Sequence, residues 1–321
     1  FTIHKLNDPK PGSEGRALAL GMMDGVHLGH KELIKKAAIY AKENNLILCA
    51  MTFAEPPIRW TDPSKKIELI TSLEERLWLF KSLGVEEALV FNFAEISKLQ
   101  PDEYLQEVIK KLLNVKYVSC GENHRFGQKQ KGNNELLKKW SEDNKVEVEI
   151  VSTIKTSEGK TVSSSLVREF LRAGNLKEAS ELLGHNYFIY QPLVSGRQIG
   201  TELGFPTLNF EYSIAELGRV QLPFGVYAAK VELKTKDGQD QKVLAAVNLG
   251  VAPTTNRSEG MPLVEAHLLG GNIEGLVMPS VGELVRVELL GFVRAEKKFE
   301  SFEELKHQIA KDCKQIIGLN S

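Results

Sequence analysis

Two histidines set three residues apart, His27 and His30, carry the first chemistry this chain offers. They stand in the run GMMDGVHLGH (residues 21–30), with Asp24 ahead of them and Gly21, Gly25 and Gly29 around them. An apolar run at 17–20, short enough for one buried strand, comes before. Behind it, Leu33, Ile34, Ala37 and Ala38 fall on one helical stripe. The decapeptide therefore reads as a strand-to-helix turn whose glycines let the backbone approach a ligand closely. The first amides of a helix lack intrahelical partners and sit at the positive end of its dipole, so such a turn attracts anions. A single histidine is more often packed or solvated than functional. Two of them, bracketed by glycines behind a buried strand, point to a phosphate site with two imidazole donors.

Further runs could complete that chemistry. GENHRFG (121–127), with Asn123 and Arg125 as polar members, is a second glycine-bracketed turn after an apolar strand, and a plain surface turn is an equal reading. VSSSLVR (162–168) opens a helix, where serines commonly act only as caps. Helix amides, the hydroxyls of Ser164 and Ser165 and the fork of Arg168 one turn on also suit phosphate oxygens, and both roles can hold at once. In GRQIGTELGFPTLN (196–209), Gly196, Gly200 and Gly204 keep the loop free to approach phosphates, a weak signal because no Walker-type GK[ST] follows. Thr207 and Asn209 would share one side of an extended chain, and their neutral oxygens suit a hard cation carrying ATP phosphates and water. The ordinary alternative is a turn at Pro206-Thr207. In LVEAHL (263–268), alternation puts Leu263, Glu265 and His267 on one side. Such a carboxylate usually lies at an edge or on a solvated face; pointing into a barrel beside the cation, it could take a proton from an attacking hydroxyl.

These residues need two kinds of scaffold. Residues 17–155 alternate strand-like segments (17–21, 46–53, 88–91, 117–120, 147–151) with helical patterns (31–43, 73–83, 101–113, 134–143). That alternation predicts a doubly wound α/β domain, a parallel sheet with helices on both faces and its ligand beyond the carboxyl ends of the strands. A helix from the serine run continues through Leu183. After Gly184 the texture changes to short alternating stretches at 187–194, 225–233, 242–249, 262–268 and 283–294, the pattern of a mainly antiparallel β-barrel or sandwich. Asp237-Gly238 suits a hairpin, and Ser301 to Glu304 a capping box on a final amphipathic helix. The expected domains are 1–184 and 185–321.

The bulk numbers exclude several classes. At 321 residues, 42% hydrophobic and 26% charged, the chain has the composition of a globular protein of about two domains. A formal net charge of −1 argues against a general nucleic-acid binder, and no apolar run approaches the roughly 18 residues of a membrane span. The residues from Phe1 onward show no pattern of charged start and apolar middle, and three widely spaced cysteines, Cys49, Cys120 and Cys313, fit a reducing cytoplasm and packing roles. Oligomeric state is left open.

HxGH preceded by Asp-Gly resembles the nucleotidyltransferase superfamily, whose members attack the α-phosphate of ATP and release pyrophosphate. Taken with GENHRFG, VSSSLVREFLRAGNLKEASELLG, GRQIGTELGFPTLNF, LPFGVY, AAVNLGVAPTT, LVEAHLL and FVRAEKKFESFEEL, the whole chain resembles the bacterial bifunctional riboflavin kinase/FMN adenylyltransferase (FAD synthetase) family. The resemblance implies an adenylyltransferase domain followed by a β-barrel kinase domain. In the second, Glu265 would act as base toward the 5′-hydroxyl of riboflavin, with Thr207 and Asn209 holding Mg²⁺ and ATP, to give FMN. In the first, FMN would attack a second ATP to give FAD, with His27, His30, Ser164 and Arg168 at the ATP phosphates and Asn123 and Arg125 near the nucleotide or flavin. The chain departs from the usual family pattern at Met22-Met23, at Asn123-His124, in 53–57 and in 278–282. Two alternatives stand beside the bifunctional enzyme: one working half, with the kinase favoured, or a non-catalytic regulator that binds flavin or nucleotide.

Overall fold

In the computed structural model the described residues are 1–6, 13–62, 64–65, 68–195, 207–212, 218–251, 262–269 and 275–319. Contacts divide the chain into two compact units, Phe1–Leu166 and Val167–Ser321, a division that falls within one helix and ahead of Gly184.

The first unit is built on six parallel strands, β1 (Thr2–His4), β2 (Arg16–Ala19), β3 (Ile47–Phe53), β4 (Glu87–Phe91), β5 (Val115–Gly121) and β6 (Glu147–Val151), in the order β1-β4-β3-β2-β5-β6. Strand β1 lies outside every predicted segment, because three largely exposed edge residues carry no buried alternation. The order reverses at β2, which pairs with β3 on one side and β5 on the other. Helices α1 (Leu28–Asn44), α2 (Ile58–Thr61), α3 (Leu73–Ser82), α4 (Phe93–Ile96), α5 (Pro101–Glu103) and α6 (Asn134–Asn144) connect the strands. After α5 the chain continues through Tyr104–Leu112 with wide π-type winding, where the sequence predicts an ordinary helix. Alternation along the strands explains the two helical layers. Leu18, Cys49, Met51, Leu89, Val118 and Cys120 face a core completed by Leu105, Val108, Ile109 and Leu137. Ser119, of opposite parity, donates its hydroxyl to Leu33 O of α1 on the other face, at 2.8 Å.

The predicted helix ending at Leu183 is two helices, α7 (Ser164–Arg172) and α8 (Leu176–Leu183), separated where Gly174 takes a left-handed φ of 76°. The second unit's sheet comprises β7 (Phe188–Pro192), β8 (Thr207–Glu211), β9 (Gly225–Thr235), β10 (Asp240–Val251), β11 (Pro262–Leu268), β12 (Leu276–Val277) and β13 (Leu284–Ala295). Its path is β7-β13-β9-β10-β11-β8, antiparallel throughout, with β12 on β9. A bridge from Val194 to Asn209 joins the two ends of that path, so the sheet curls back on itself. Two register shifts in β13, at Leu289/Gly291 and Phe292/Arg294, add local bends. The turn at Asp237-Gly238 joins β9 to β10 as the sequence predicts, with Gly238 at φ 84°. Helix α9 (Phe302–Leu319) lays Cys313 and Ile316 on Val226, Ala228 and Ala246, and Asp312 accepts Arg294 Nη2 at 2.7 Å. Only half of the predicted capping box forms. Ser301 Oγ accepts Glu304 N, while the Glu304 carboxylate turns to Glu300 N.

Candidate active sites

In the first unit the turn after β2 is a knot of unusual backbone. Met23 (φ 58°), Gly25 (φ 80°) and Val26 (φ 42°) all lie in the left-handed region. For a β-branched residue such as Val26 that conformation is strained by about 1–3 kcal/mol and persists only where its surroundings enforce it. Those surroundings are polar and buried. The Asp24 carboxylate, expected among the ATP contacts, accepts Ile70 N, Thr71 N and Thr71 Oγ1, and Gly25 N donates to Thr71 Oγ1 at 2.9 Å. The Gly25 amide is thus engaged within the protein. Met23 is fully buried and its thioether lies against Gly21, so one of the two residues that break the family pattern fills core.

Helix α1 begins immediately after this knot. The His27 ring caps it, Nδ1 accepting His30 N at 3.4 Å, which places the ring proton of a neutral His27 on Nε2. The rings of His27 and His30 stack at 3.7 Å, and a Cβ on Gly29 would meet the His27 ring at 3.0 Å. Gly29 therefore makes room for an imidazole as well as leaving backbone free. His30 Nδ1 is buried without a hydrogen-bond partner. Burial, the neighbouring His27 and the charge of Arg76 together hold the His30 imidazole well below its usual range. The donors expected here as cations thus include one, His30, that stays neutral at pH 7 in the free protein.

Three elements from different places in the sequence, helices α3 and α7 and strand β3, converge on this turn. Arg76 of α3, 0% exposed, extends Nη1 to Thr52 Oγ1, Phe53 O and Met22 O at 2.6, 2.9 and 3.2 Å. Neither Arg76 nor Thr52 figures in the sequence-derived site. The available signal was weak: one arginine within an ordinary charged helix, Leu73–Ser82. Ser164 Oγ donates to Asp24 O at 3.0 Å, so the serine run is fastened to the histidine turn. Ser163 caps α7 by accepting Leu166 N, Ser165 is exposed, and Arg168 lies one turn past Ser164 on the same helix.

In the loop 121–127, Asn123 and Arg125 are exposed, and the residue between them turns inward. His124 stacks on Phe126, its Nε2 is buried without a partner, and burial aided by Arg125 lowers its pKa to about 4. Asn134 at the start of α6 pins the loop through Gly121 O and Glu122 O.

In the second unit the candidate residues meet through strand register. Glu265 of β11 pairs with Asn209 of β8 on one side and Asn248 of β10 on the other, while His267 pairs with Thr207. Directly opposed residues share a face. Val264, Ala266 and Leu268 are fully buried on one face of β11, and Glu265 and His267 belong to the other. Glu265 therefore joins Thr207 and Asn209 on the face opposite Val264, Ala266 and Leu268, so the proximity needed for a base is met without the carboxylate entering the apolar interior. Thr207 Oγ1 lies 3.1 Å from His267 Nδ1, whose ring burial keeps below its usual pKa. Asn209, 6% exposed, leaves Oδ1 buried without a partner, an acceptor in want of a cation or donor. Asn248, which the sequence argument gave no role, completes the row. Gly196, Gly200 and Gly204 lie outside the described residues. Among the described residues no cluster of three or more His, Cys, Asp or Glu could hold a metal.

These two arrangements coincide with two known domains. A family model described as FAD synthetase matches residues 10–166, and one described as riboflavin kinase matches residues 183–319. A bifunctional riboflavin kinase/FMN adenylyltransferase from Bacillus subtilis is 32% identical over 94% of this chain and 91% of its own length. The protein of that name from Escherichia coli K12 is 32% identical over 99% and 97%, and one from Buchnera aphidicola is 28% identical over 98% and 97%. A crystal structure described as a macrolide-efflux protein from Streptococcus pneumoniae matches with a TM-score of 0.79 at 28% identity, covering 97% of both chains. Among the described residues no helix is long and apolar enough to cross a membrane. With an FAD synthetase domain followed by a riboflavin kinase domain over nearly its whole length, the chain belongs to the bifunctional riboflavin kinase/FMN adenylyltransferase family.

Proposed function

We propose that this protein makes FAD from riboflavin in two ATP-dependent steps, one in each domain, and that the sites are those assembled above. The observation that carries the reading is the meeting of Glu265 with Asn209 and Thr207 in the second unit, alongside the His27–His30 pair at the sheet's switch point in the first.

In the kinase half, Glu265 takes the proton from the riboflavin 5′-hydroxyl as the γ-phosphate of ATP arrives. Mg²⁺ fits the orphaned Oδ1 of Asn209 with the hydroxyl of Thr207 beside it. Bound there, it would shield the charge on the nucleotide phosphates. Gly196, Gly200 and Gly204 would approach those phosphates. In the adenylyltransferase half, the FMN phosphate attacks the α-phosphate of a second ATP and pyrophosphate leaves. No covalent enzyme intermediate is needed; alignment and donors do the work. His27 donates from Nε2. His30 meets the anion from a neutral ring whose Nδ1 lacks a partner, and an arriving phosphate would raise its proton affinity. Ser164, Ser165, Arg168 and the backbone near Gly21 and Gly29 attend the phosphates, Gly25 shapes the turn with its amide held by Thr71, and Asn123 and Arg125 border the nucleotide or flavin. Asp24 contributes by holding the turn in shape.

We divide the two activities at 184/185, which keeps the serine run with the histidine turn to which Ser164 is bonded. We place the protein in the cytoplasm, in keeping with three buried, unpaired cysteines.

The test is direct. Incubation with riboflavin, ATP and Mg²⁺, followed by chromatographic separation of flavins, should yield FMN and then FAD. FMN alone would reduce the protein to a kinase, and tight flavin binding with neither product would make it a regulator.

A further inference from the structure

Arg76 is a fully buried cation in the first unit, and its hydrogen bonding is lopsided. Nη1, with two hydrogens, has three oxygens within reach: Thr52 Oγ1, Phe53 O and Met22 O. Nε reaches Ser72 O at 3.4 Å. Nη2, also with two hydrogens, is buried and has no partner. A charged donor left in that condition is costly, far more so than a neutral one, and such groups are paired in native proteins unless a ligand completes them.

Its place in the fold suggests what completes it. Met22 follows β2 and Phe53 ends β3, so the guanidinium ties together the carboxyl ends of two adjacent strands at the point where the strand order reverses. Beside it stands the other partner-free polar atom of the turn, His30 Nδ1, near enough for the arginine's charge to act on the ring. A planar fork with one arm committed to the scaffold and one arm open is suited to an anionic oxygen. A carboxylate of the protein does not fill the place: Asp24 is engaged with Ile70 and Thr71, and Glu75 with Ser72.

We propose that Arg76 is a phosphate-binding residue of the N-terminal site, holding Met22, Thr52 and Phe53 through Nη1 while Nη2 receives a phosphate oxygen of the nucleotide or flavin next to His30. The assignment rests on the adenylyl-transfer reading above. It adds a contact from a helix that the histidine, serine and loop motifs do not include.

The experiment compares full-length Arg76→Lys and Arg76→Met with the unmodified chain. FMN-to-FAD conversion should fall about 100-fold in Arg76→Met, with riboflavin phosphorylation in the same preparation unchanged. Inhibition by added pyrophosphate should weaken at least tenfold. A raised KM for ATP with KM for FMN unchanged would assign the oxygen to the nucleotide, and the reverse to the flavin phosphate. Arg76→Lys, which keeps the charge and loses the second arm, should recover only part of the loss. A folded Arg76→Met with normal KM values and normal pyrophosphate inhibition would overturn the proposal and leave a structural clamp. Should that variant fail to fold, a crystal of the unmodified protein soaked in pyrophosphate decides. A phosphate oxygen within hydrogen-bond reach of Nη2 is expected, and a water there, with pyrophosphate bound elsewhere, overturns it. Pyrophosphate held by Arg76 in a protein that makes no FAD would sink the adenylyl-transfer reading and spare the arginine.

Discussion

In the first unit the polar groups of the candidate site come from turns at the ends of parallel strands; in the second they come from the middles of antiparallel ones. The first site is wired from behind: Asp24, Thr71, Ser164 and Arg76 hold a strained turn in place through buried hydrogen bonds. The second site is laid out on a ladder. Strand register alone sets Glu265 between Asn209 and Asn248 and pairs His267 with Thr207. A phosphate site made from backbone amides must bend the chain into rare conformations, and the supporting side chains restrain it there. A site made from side chains on a sheet inherits its geometry from the ladder. The first is vulnerable at residues that touch no substrate, and the second mainly at those that do.

Four measurements would break or sharpen this contrast. Glu265→Gln should cut FMN formation about 1000-fold, the scale of a lost general base, while FMN-to-FAD conversion persists. Equal loss of both reactions would deny two separate sites. His30→Ala should reverse the pattern, lowering FAD formation roughly 100-fold with kinase turnover untouched. Asn209→Ala should raise the Mg²⁺ concentration needed for half-maximal kinase activity about tenfold. It should leave the melting temperature unchanged or slightly higher, because it removes an acceptor that the apo protein leaves buried and unpaired. A large fall in melting temperature would mean that Oδ1 is structural.

The last effect is on stability and leaves turnover aside; it concerns His124. Its folded pKa of about 4 lies below the roughly 6.5 of an unfolded chain, so the folded state holds fewer protons between those values. Stability should therefore fall as pH drops from about 6.5 to about 4, by about 3 kcal/mol, and change no further from this source below that. His124→Asn should flatten the dependence of the first unit's unfolding on pH across that window. An unchanged slope would place the ring in water.

The legibility of the sequence follows the same contrast. The histidine turn, the serine run and strands β2 to β6 could be placed from the chain alone, because a buried strand, its following turn and the next helix are contiguous. Arg76 and Thr52 could not, since nothing local distinguishes an arginine of an ordinary helix from one reaching across two strand ends. His124 was legible only as a departure from a family pattern; that it turns inward while Asn123 and Arg125 face water is a matter of loop conformation. In the second unit Glu265, Thr207 and Asn209 were found, but not the face they share or their neighbour Asn248. Alternation says which residues share a side, and only pairing says which side. Strand β8 is absent from the predicted strands, although Thr207 and Asn209 could be weighed as extended, because Thr207–Glu211 is short and follows a glycine-rich run.

The pairing of β7 with β13 also bears on how the chain is made. Strand β7 opens the second unit's sheet and β13 is the last strand to join it, and among the described residues β13 is the strand that β7 pairs with. The parallel sheet of the first unit has all its strands once β6 has been synthesised. Phe188 and Ile189 of β7, by contrast, wait for Glu288 and Val287 to leave the ribosome before their edge is covered. The nascent second domain is thus an open sheet with an apolar strand to offer any chain that passes, and premature termination anywhere before Leu284 leaves it so.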